Sequence, residues 1–130
     1  MRRRCLIGSA AAFLLIGLGS SFAAAADPAQ LQRGAYLFDA ADCAACHTNI
    51  KEKGALLAGG RPLKTPFGTF YSPNITPDPE HGIGRWSDAD FIRALREGIS
   101  PAGSHYFPVF PYTSFTRITD QDLLDLKAYI

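Results

Sequence analysis

Two cysteines and a histidine form the most reactive cluster in this chain of 130 residues. In the stretch DCAACHTNI, Cys43 and Cys46 stand three positions apart, and His47 follows directly. C-x-x-C-H is the attachment signature of c-type haem, in which each thiol adds to one vinyl group of the porphyrin. The motif therefore predicts thioether bonds at Cys43 and Cys46 and an axial bond from His47 to the iron of one haem c.

Two other kinds of site use cysteines at this spacing. A thioredoxin-like C-x-x-C lies within a βαβ pattern, which this sequence lacks. A structural zinc site needs four ligands, and only His81 and His105 remain to join the motif. The sequence therefore favours haem over either alternative.

The first residues have the three-part pattern of a secretory signal peptide. Residues 2–4 are arginines, residues 6–18 form an apolar core, and residues 24–26 are three alanines that suit a cleavage site. A transmembrane anchor would need an apolar stretch of about 20 residues, which is longer than this one. We therefore predict that residues 1–26 are cleaved, that the mature chain starts at Asp27, and that it is exported to the periplasm.

Residues 27–130 then form one small domain, close to the size at which a core needs a cofactor or a staple. Loss of the three leader arginines leaves a small excess of acidic residues, which argues against a nucleic-acid-binding protein, because such proteins carry a basic patch. The last predicted helix is still apolar at Ile130, so we expect a chain that is truncated or that continues beyond this point.

Three segments have an N-cap residue followed by apolar residues at helical spacing. They predict a helix over residues 28–41, a second between Ser87 and Gly98, and a third from Thr119 to the end. Gly34 within the first helix indicates that another helix approaches it closely, because glycine otherwise weakens a helix. No alternating pattern long enough for a sheet is present, so the sequence predicts an all-α domain.

Two long segments without periodicity, residues 54–86 and 100–115, connect these helices. Both are rich in proline and aromatic residues, and the aromatic residues argue against disorder. Segments of this length are uncommon in compact domains unless they wrap a ligand, which agrees with a bound haem.

The motif and these segments together resemble class I cytochromes c. The stretches TPFGTFYSPNITPD, GIGRWSDADFIRALREGISPAGSHYFP and FPYTSFTRITDQDLLDLKAYI are similar to the haem domains of cytochrome c subunits of bacterial membrane-bound alcohol, gluconate and related sugar dehydrogenases. The resemblance implies that the N- and C-terminal helices cross beside the haem, with Gly34 against Leu126 and Tyr129. Those subunits usually carry three such domains, so a single domain implies a stand-alone monohaem relative.

The resemblance also assigns roles to residues outside the motif. Trp86 matches the position whose indole N–H bonds a haem propionate, with a core tryptophan as the alternative. Asn74 and Arg61 are further candidates for the propionates. Phe110 and Tyr112 belong to an aromatic loop that is expected to line the distal face of the haem, with a peptide-binding cluster as the alternative.

The resemblance breaks at the second axial ligand of the iron. Class I cytochromes c supply a methionine there, and the matching stretch FPVFPYTSF has Phe110 in its place. Met1 is the chain's only methionine. Either His105 swings in as the sixth ligand, which would lower the reduction potential, or the iron keeps an open or water-bound position.

These expectations lead to two candidate functions. The first is an electron carrier rather than an enzyme, with Fe(II)/Fe(III) cycling between a dehydrogenase donor and an oxidase or other cytochrome acceptor. Its partners would be redox proteins, with peripheral association with membrane complexes. The second is a haem-based small-ligand binder or minor peroxidase that uses an open distal position. The missing methionine alone favours the second function, and the resemblance favours the first.

Overall fold

Four helices and one β-hairpin make up residues 27–130, the part of the chain that a computed structural model describes. The predicted leader, residues 1–26, lies outside the described residues, so its cleavage stays a prediction. Within residues 27–130 no helix is long and apolar enough to span a membrane. In chain order the elements are α1 (Pro28–Ala40), α2 (Cys43–His47), β1 (Pro62–Thr65), β2 (Gly68–Tyr71), α3 (Asp88–Glu97) and α4 (Asp120–Tyr129), with 3₁₀ turns at Ile50–Glu52 and Tyr112–Phe115.

The three long helices begin and end where their capping residues predict, to within one residue. Asp27 caps α1, with a proline at its first helical position. Ser87 and Asp90 form a capping box at the start of α3, in which the side chain of each accepts from the backbone of the other. Gly98 ends α3 with a φ of 67°, and the Thr119 side chain caps α4.

The all-α prediction is wrong in one respect, because the segment predicted to be irregular contains an antiparallel hairpin. Leu63 of β1 pairs with Phe70 of β2. The Thr65 hydroxyl stabilises the turn, since it accepts from the Phe67 amide and donates to the Gly68 carbonyl. Each strand has only four residues. That length is too short for an alternating pattern to stand out in a proline- and glycine-rich segment.

Helices α1 and α4 pack together closely at Gly34. A Cβ atom built on Gly34 would overlap the backbone carbonyl of Asp125 and would lie 2.7 Å from the Cβ of Tyr129. The prediction that Tyr129 opposes Gly34 is confirmed, and the backbone of Asp125, rather than Leu126, provides the other nearest atoms. Phe38, one turn further along α1, makes an edge-to-face contact with Tyr129 at 5.3 Å between ring centroids.

The apolar core lies between α1, α3 and α4 and continues into the loops before α3. Its most buried large side chains are Phe38, Leu57, Ile83, Phe91, Leu123 and Leu126. Cys43 and Trp86 pack against this cluster. The core therefore supports the turn that carries the cysteine motif.

A buried carboxylate also joins α1 to α4. The side chain of Asp125 is fully buried, and it accepts hydrogen bonds from Arg33 Nε and Gln121 Nε2. The hydrogen bond from Arg33 is the main cause that lowers the pKa of Asp125 below its ordinary value. The stabilisation from this carboxylate is therefore complete above the pKa that it has in the unfolded chain, near 4. It is lost as the pH falls through the lower pKa of the folded protein.

We expect Asp125→Asn to lower the unfolding temperature at neutral pH, because Arg33 loses its charged partner. Below about pH 4 the difference from the unsubstituted protein should shrink, since the native carboxylate is then losing its own charge. Thermal unfolding followed by circular dichroism between pH 7 and pH 2.5 measures this, with Asp39→Asn on the exposed side of α1 as the control. A difference that stays constant across this range would contradict the assignment.

Candidate haem-binding site

The cysteine motif forms a helix of its own, α2, directly after α1. Asp42 at its N-cap has a φ of 53°, in the left-handed region, which turns the chain sharply between the two helices. Residues three or four apart lie on one face of a helix. The short helix therefore directs Cys43, Cys46 and His47 into the same cavity.

That cavity has a volume of about 270 Å³, and its surface is mostly apolar. The hairpin, the loop before α3, α3 itself, the loop before α4 and α4 each contribute to the wall. Representative lining residues from these segments, in chain order, are Leu63, Phe70, Trp86, Leu95, Phe110 and Leu126. Both long irregular segments therefore supply side chains to one cavity, as their composition predicts.

One ring nitrogen of His47 is held by the backbone. His47 Nδ1 lies 2.8 Å from the carbonyl oxygen of Pro73. A carbonyl oxygen only accepts, so Nδ1 carries the proton and Nε2 keeps its lone pair. Burial lowers the pKa of His47, and the hydrogen bond to Pro73 opposes that shift only in part. Burial therefore favours the neutral imidazole, and the hydrogen bond to Pro73 orients its ring, which together give the form that binds a metal ion.

The two thiols differ in exposure. Cys43 is partly buried against the core, Cys46 is exposed, and the two are not joined by a disulfide. Burial raises the pKa of the Cys43 thiol to about 11. A thioredoxin-like site needs the opposite shift, because its attacking cysteine acts as a thiolate near neutral pH. The environment of Cys43 therefore argues against that alternative.

The zinc alternative has no support in the same region. Across residues 27–130 no group of three or more His, Cys, Asp and Glu side chains is arranged to hold a metal ion. Two thiols and one imidazole on the wall of an apolar cavity instead fit a haem c group. The thiols would supply the covalent anchors, the imidazole the axial bond, and the apolar wall the contact with the macrocycle.

Comparison with known proteins agrees with this site. The family model described as Cytochrome c matches residues 31–130, which include the motif, the hairpin and all the cavity-lining segments. The chain belongs to the cytochrome c family. This membership supports electron transfer and binding of iron in a haem group.

This cytochrome c chain is similar to parts of three longer proteins. The chain is 58% identical over 102 residues to one of the nicotinate dehydrogenase subunits of Pseudomonas putida, a match that covers 78% of the chain and 8% of the relative. It is 50% identical over 104 residues to a diheme cytochrome c-type protein of Cereibacter sphaeroides, covering 78% and 35%. It is 49% identical over 122 residues to the cytochrome c subunit of a quinone alcohol dehydrogenase of Komagataeibacter europaeus, covering 93% and 26%. The chain thus spans only 8% to 35% of the length of these relatives.

Trp86 and Phe110 both lie on the wall of the cavity. The Phe110 ring has three aromatic neighbours in the same loop, Tyr106 at 5.8 Å, Phe115 at 6.0 Å and Tyr112 at 6.4 Å between centroids. Phe110 therefore belongs to a cluster of aromatic rings beside the cavity. The propionate bond of Trp86 stays a prediction.

The other two residues predicted to bind propionates do not line the cavity. Asn74 Oδ1 accepts hydrogen bonds from the amide and the hydroxyl of Thr76, at 2.8 Å and 2.7 Å. The Arg61 amide donates to the Ser72 hydroxyl at 3.1 Å. These contacts shape the loop that carries the Pro73 carbonyl, and the roles of both side chains toward haem stay predictions.

The two remaining candidates also lie outside the cavity wall. The Tyr112 ring packs on Gly98, where an added Cβ would come within 2.6 Å of it. His105 is exposed, and its backbone forms an isolated bridge with Ile99. Ligation of iron by His105 would need the loop to turn its side chain inward, and this too stays a prediction.

Sequence reasoning missed two groups at this cytochrome c site. The Pro73 carbonyl could not be found from sequence, because any residue type can offer a backbone oxygen to His47. Tyr106 also lines the cavity, and the sequence analysis predicted no role for it. Its hydroxyl in an otherwise apolar run was the signal that could have identified it.

Proposed function

We propose that this chain is an exported monohaem cytochrome c that carries single electrons from a dehydrogenase to a terminal acceptor. The observation that carries the proposal is the meeting of Cys43, Cys46 and an oriented His47 on one apolar cavity. In this proposal, α1 and α4 cross at Gly34 beside the haem that the two cysteines anchor. The bound haem supplies the chemistry, which is one-electron cycling of its iron.

The chain's own residues bind, orient and tune the redox centre. Cys43 and Cys46 would fix its position through two covalent bonds, and His47 Nε2 would hold the iron while Pro73 fixes the plane of the imidazole. The apolar wall excludes water and disfavours the more highly charged ferric state, which raises the reduction potential. The lack of a methionine ligand would lower the reduction potential. The apolar wall and the iron ligands together therefore determine its value.

Three features support the finer parts of the proposal. The sequence holds one C-x-x-C-H motif, which supports a single haem. The leader pattern at residues 1–26 supports export to the periplasm. The relatives include cytochrome subunits of alcohol, fructose and gluconate dehydrogenases, which supports a dehydrogenase as donor. Peripheral association with a membrane complex is a further part of the proposal. An oxidase or another cytochrome would be the acceptor, and the chain itself would transform no substrate.

A peroxidase function is less favoured than electron transfer. Peroxide cleavage needs a base near the iron, and histidine is the usual one. His105 is the only histidine in the loop before α4, and it is exposed outside the cavity wall. The structure therefore favours electron transfer over that reaction.

Reduction by dehydrogenase-containing membranes tests the proposal. The purified ferric protein is mixed with membranes that contain an alcohol, fructose or gluconate dehydrogenase, with and without the matching substrate. We expect at least one substrate to produce the absorption band of ferrous haem c, and the same membranes without substrate to produce none. If no substrate reduces a protein that dithionite reduces fully, the proposed donor class is wrong.

A further inference from the structure

The loop between α3 and α4 supplies a distinct part of the cavity wall. Its lining side chains are Tyr106, Phe107, Val109, Phe110, Pro111 and Phe115. Five of these six are purely apolar, and the sixth contributes one hydroxyl group. This part of the wall is therefore formed mainly by apolar side chains, and the Tyr106 hydroxyl is the one polar side-chain group among its six residues.

The cavity also lacks a second conventional iron ligand. Haem proteins use imidazole, thiolate, thioether or phenolate as axial ligands. Once Cys43, Cys46 and His47 are assigned, the cavity lining formed by residues 27–130 has no further histidine, cysteine or methionine. The remaining groups of the right kind are the phenols of Tyr71 and Tyr106. A phenol that keeps its proton is a weak ligand for iron.

We propose that the iron held by His47 binds a small uncharged diatomic molecule, such as carbon monoxide or nitric oxide, next to Phe110, and that the Tyr106 hydroxyl donates a hydrogen bond to it. This inference rests on the proposed haem binding and adds a ligand site to it. An uncharged ligand fits this wall because transfer of an ion into an apolar environment is costly. A diatomic molecule also needs little space beside the packed rings of Phe110 and Phe115.

Tyr106 is held in position for this role. Its amide donates to the Gly98 carbonyl at 2.7 Å, which ties the loop to the end of α3. Its ring lies edge-on to the Phe110 ring, at 88° between planes. Burial raises the pKa of the Tyr106 hydroxyl, which keeps it a neutral phenol and hence a donor.

The test uses the holoprotein and two tyrosine variants. Tyr106→Phe removes the hydroxyl of a residue that lines the cavity, and Tyr36→Phe removes one from an exposed ring on α1 that does not line it. Covalent haem is counted first in all three proteins by the pyridine haemochrome spectrum. Each ferrous protein is then exposed to carbon monoxide, and the C–O stretching frequency and the dissociation rate are measured.

We expect a carbon monoxide adduct in all three proteins. In Tyr106→Phe the C–O stretch should move to higher frequency, and carbon monoxide should dissociate about three to ten times faster, as loss of one hydrogen bond predicts. Tyr36→Phe should match the unsubstituted protein in both measurements. A merely structural role for Tyr106 would not shift the C–O stretch in this direction.

A second variant covers the case in which Tyr106→Phe does not fold. Phe110→Met places a thioether on the same wall, and we expect a low-spin spectrum, a raised reduction potential and loss of most carbon monoxide binding.

An unsubstituted protein that is low-spin and forms no adduct would overturn the inference, as would equal C–O frequencies in Tyr106→Phe and the unsubstituted protein. Absence of covalent haem would instead overturn the proposed function. Reversible redox cycling without an adduct would overturn only the ligand site.

Discussion

Replacing both Cys43 and Cys46 with serine is expected to leave the protein without covalently bound haem. A serine hydroxyl does not form the thioether bond, and residues 27–130 contain no other cysteine that could replace the pair. Because the cavity is bounded by side chains from most of the fold, loss of the group that fills it should also reduce the amount of folded protein. Intact mass and haem remaining after acid–acetone extraction measure the first effect, and far-ultraviolet circular dichroism measures the second.

The two single variants are the matched controls. Cys43→Ser and Cys46→Ser each keep one thiol, so each should retain haem through one bond, and the yield should be lower than in the unsubstituted protein. Extraction-resistant haem at the full level in the double variant would show that the motif is not the attachment site.

Gly34→Ala is expected to destabilise the protein strongly, although alanine is the better helix former. On propensity alone the change would stabilise α1 by about 1 kcal/mol. The added methyl group would instead collide with the Asp125 carbonyl and the Tyr129 Cβ, and overpacking of this kind costs about 2–3 kcal/mol. The two arguments predict opposite signs for the change in the free energy of unfolding, so the direction alone decides between them.

Gln32→Ala provides the control, because Gln32 is exposed on the same helix. Its effect on the free energy of unfolding should be within about 0.5 kcal/mol. Denaturant unfolding of the holoprotein measures both variants. Stabilisation by Gly34→Ala would mean that α1 and α4 do not approach at this residue as closely as the structure shows.

The helices were predictable because the signals that start and stop them are local. Ser87 with Asp90 and Gly98 at the other end mark α3 within the segment itself. Gly34 indicated a close helix neighbour for a similar reason, since a glycine inside a good helix needs an explanation. The hairpin escaped prediction because its eight residues pair across a turn, and neither strand carries enough apolar positions to show a period of two.

The site was predictable only in part. Cys43, Cys46 and His47 are adjacent in sequence, so their meeting on one short helix follows from the motif. The carbonyl of Pro73 meets His47 across 26 positions through the tertiary fold, and that contact leaves no mark on residue type. From sequence alone, Asp125 would be predicted to be a charged residue on the exposed side of α4. Its burial was not predictable because its partner Arg33 is 92 positions away.

A redox titration of the purified mature protein, with bound haem counted in the same sample, tests the central claim most directly. We predict one covalent haem per chain and a single reversible transition, with a slope of about 59 mV per tenfold change in the ferric-to-ferrous ratio, as a one-electron couple requires. A chain that holds no covalent haem, or one whose haem shows no reversible transition, would contradict the assignment as an electron carrier.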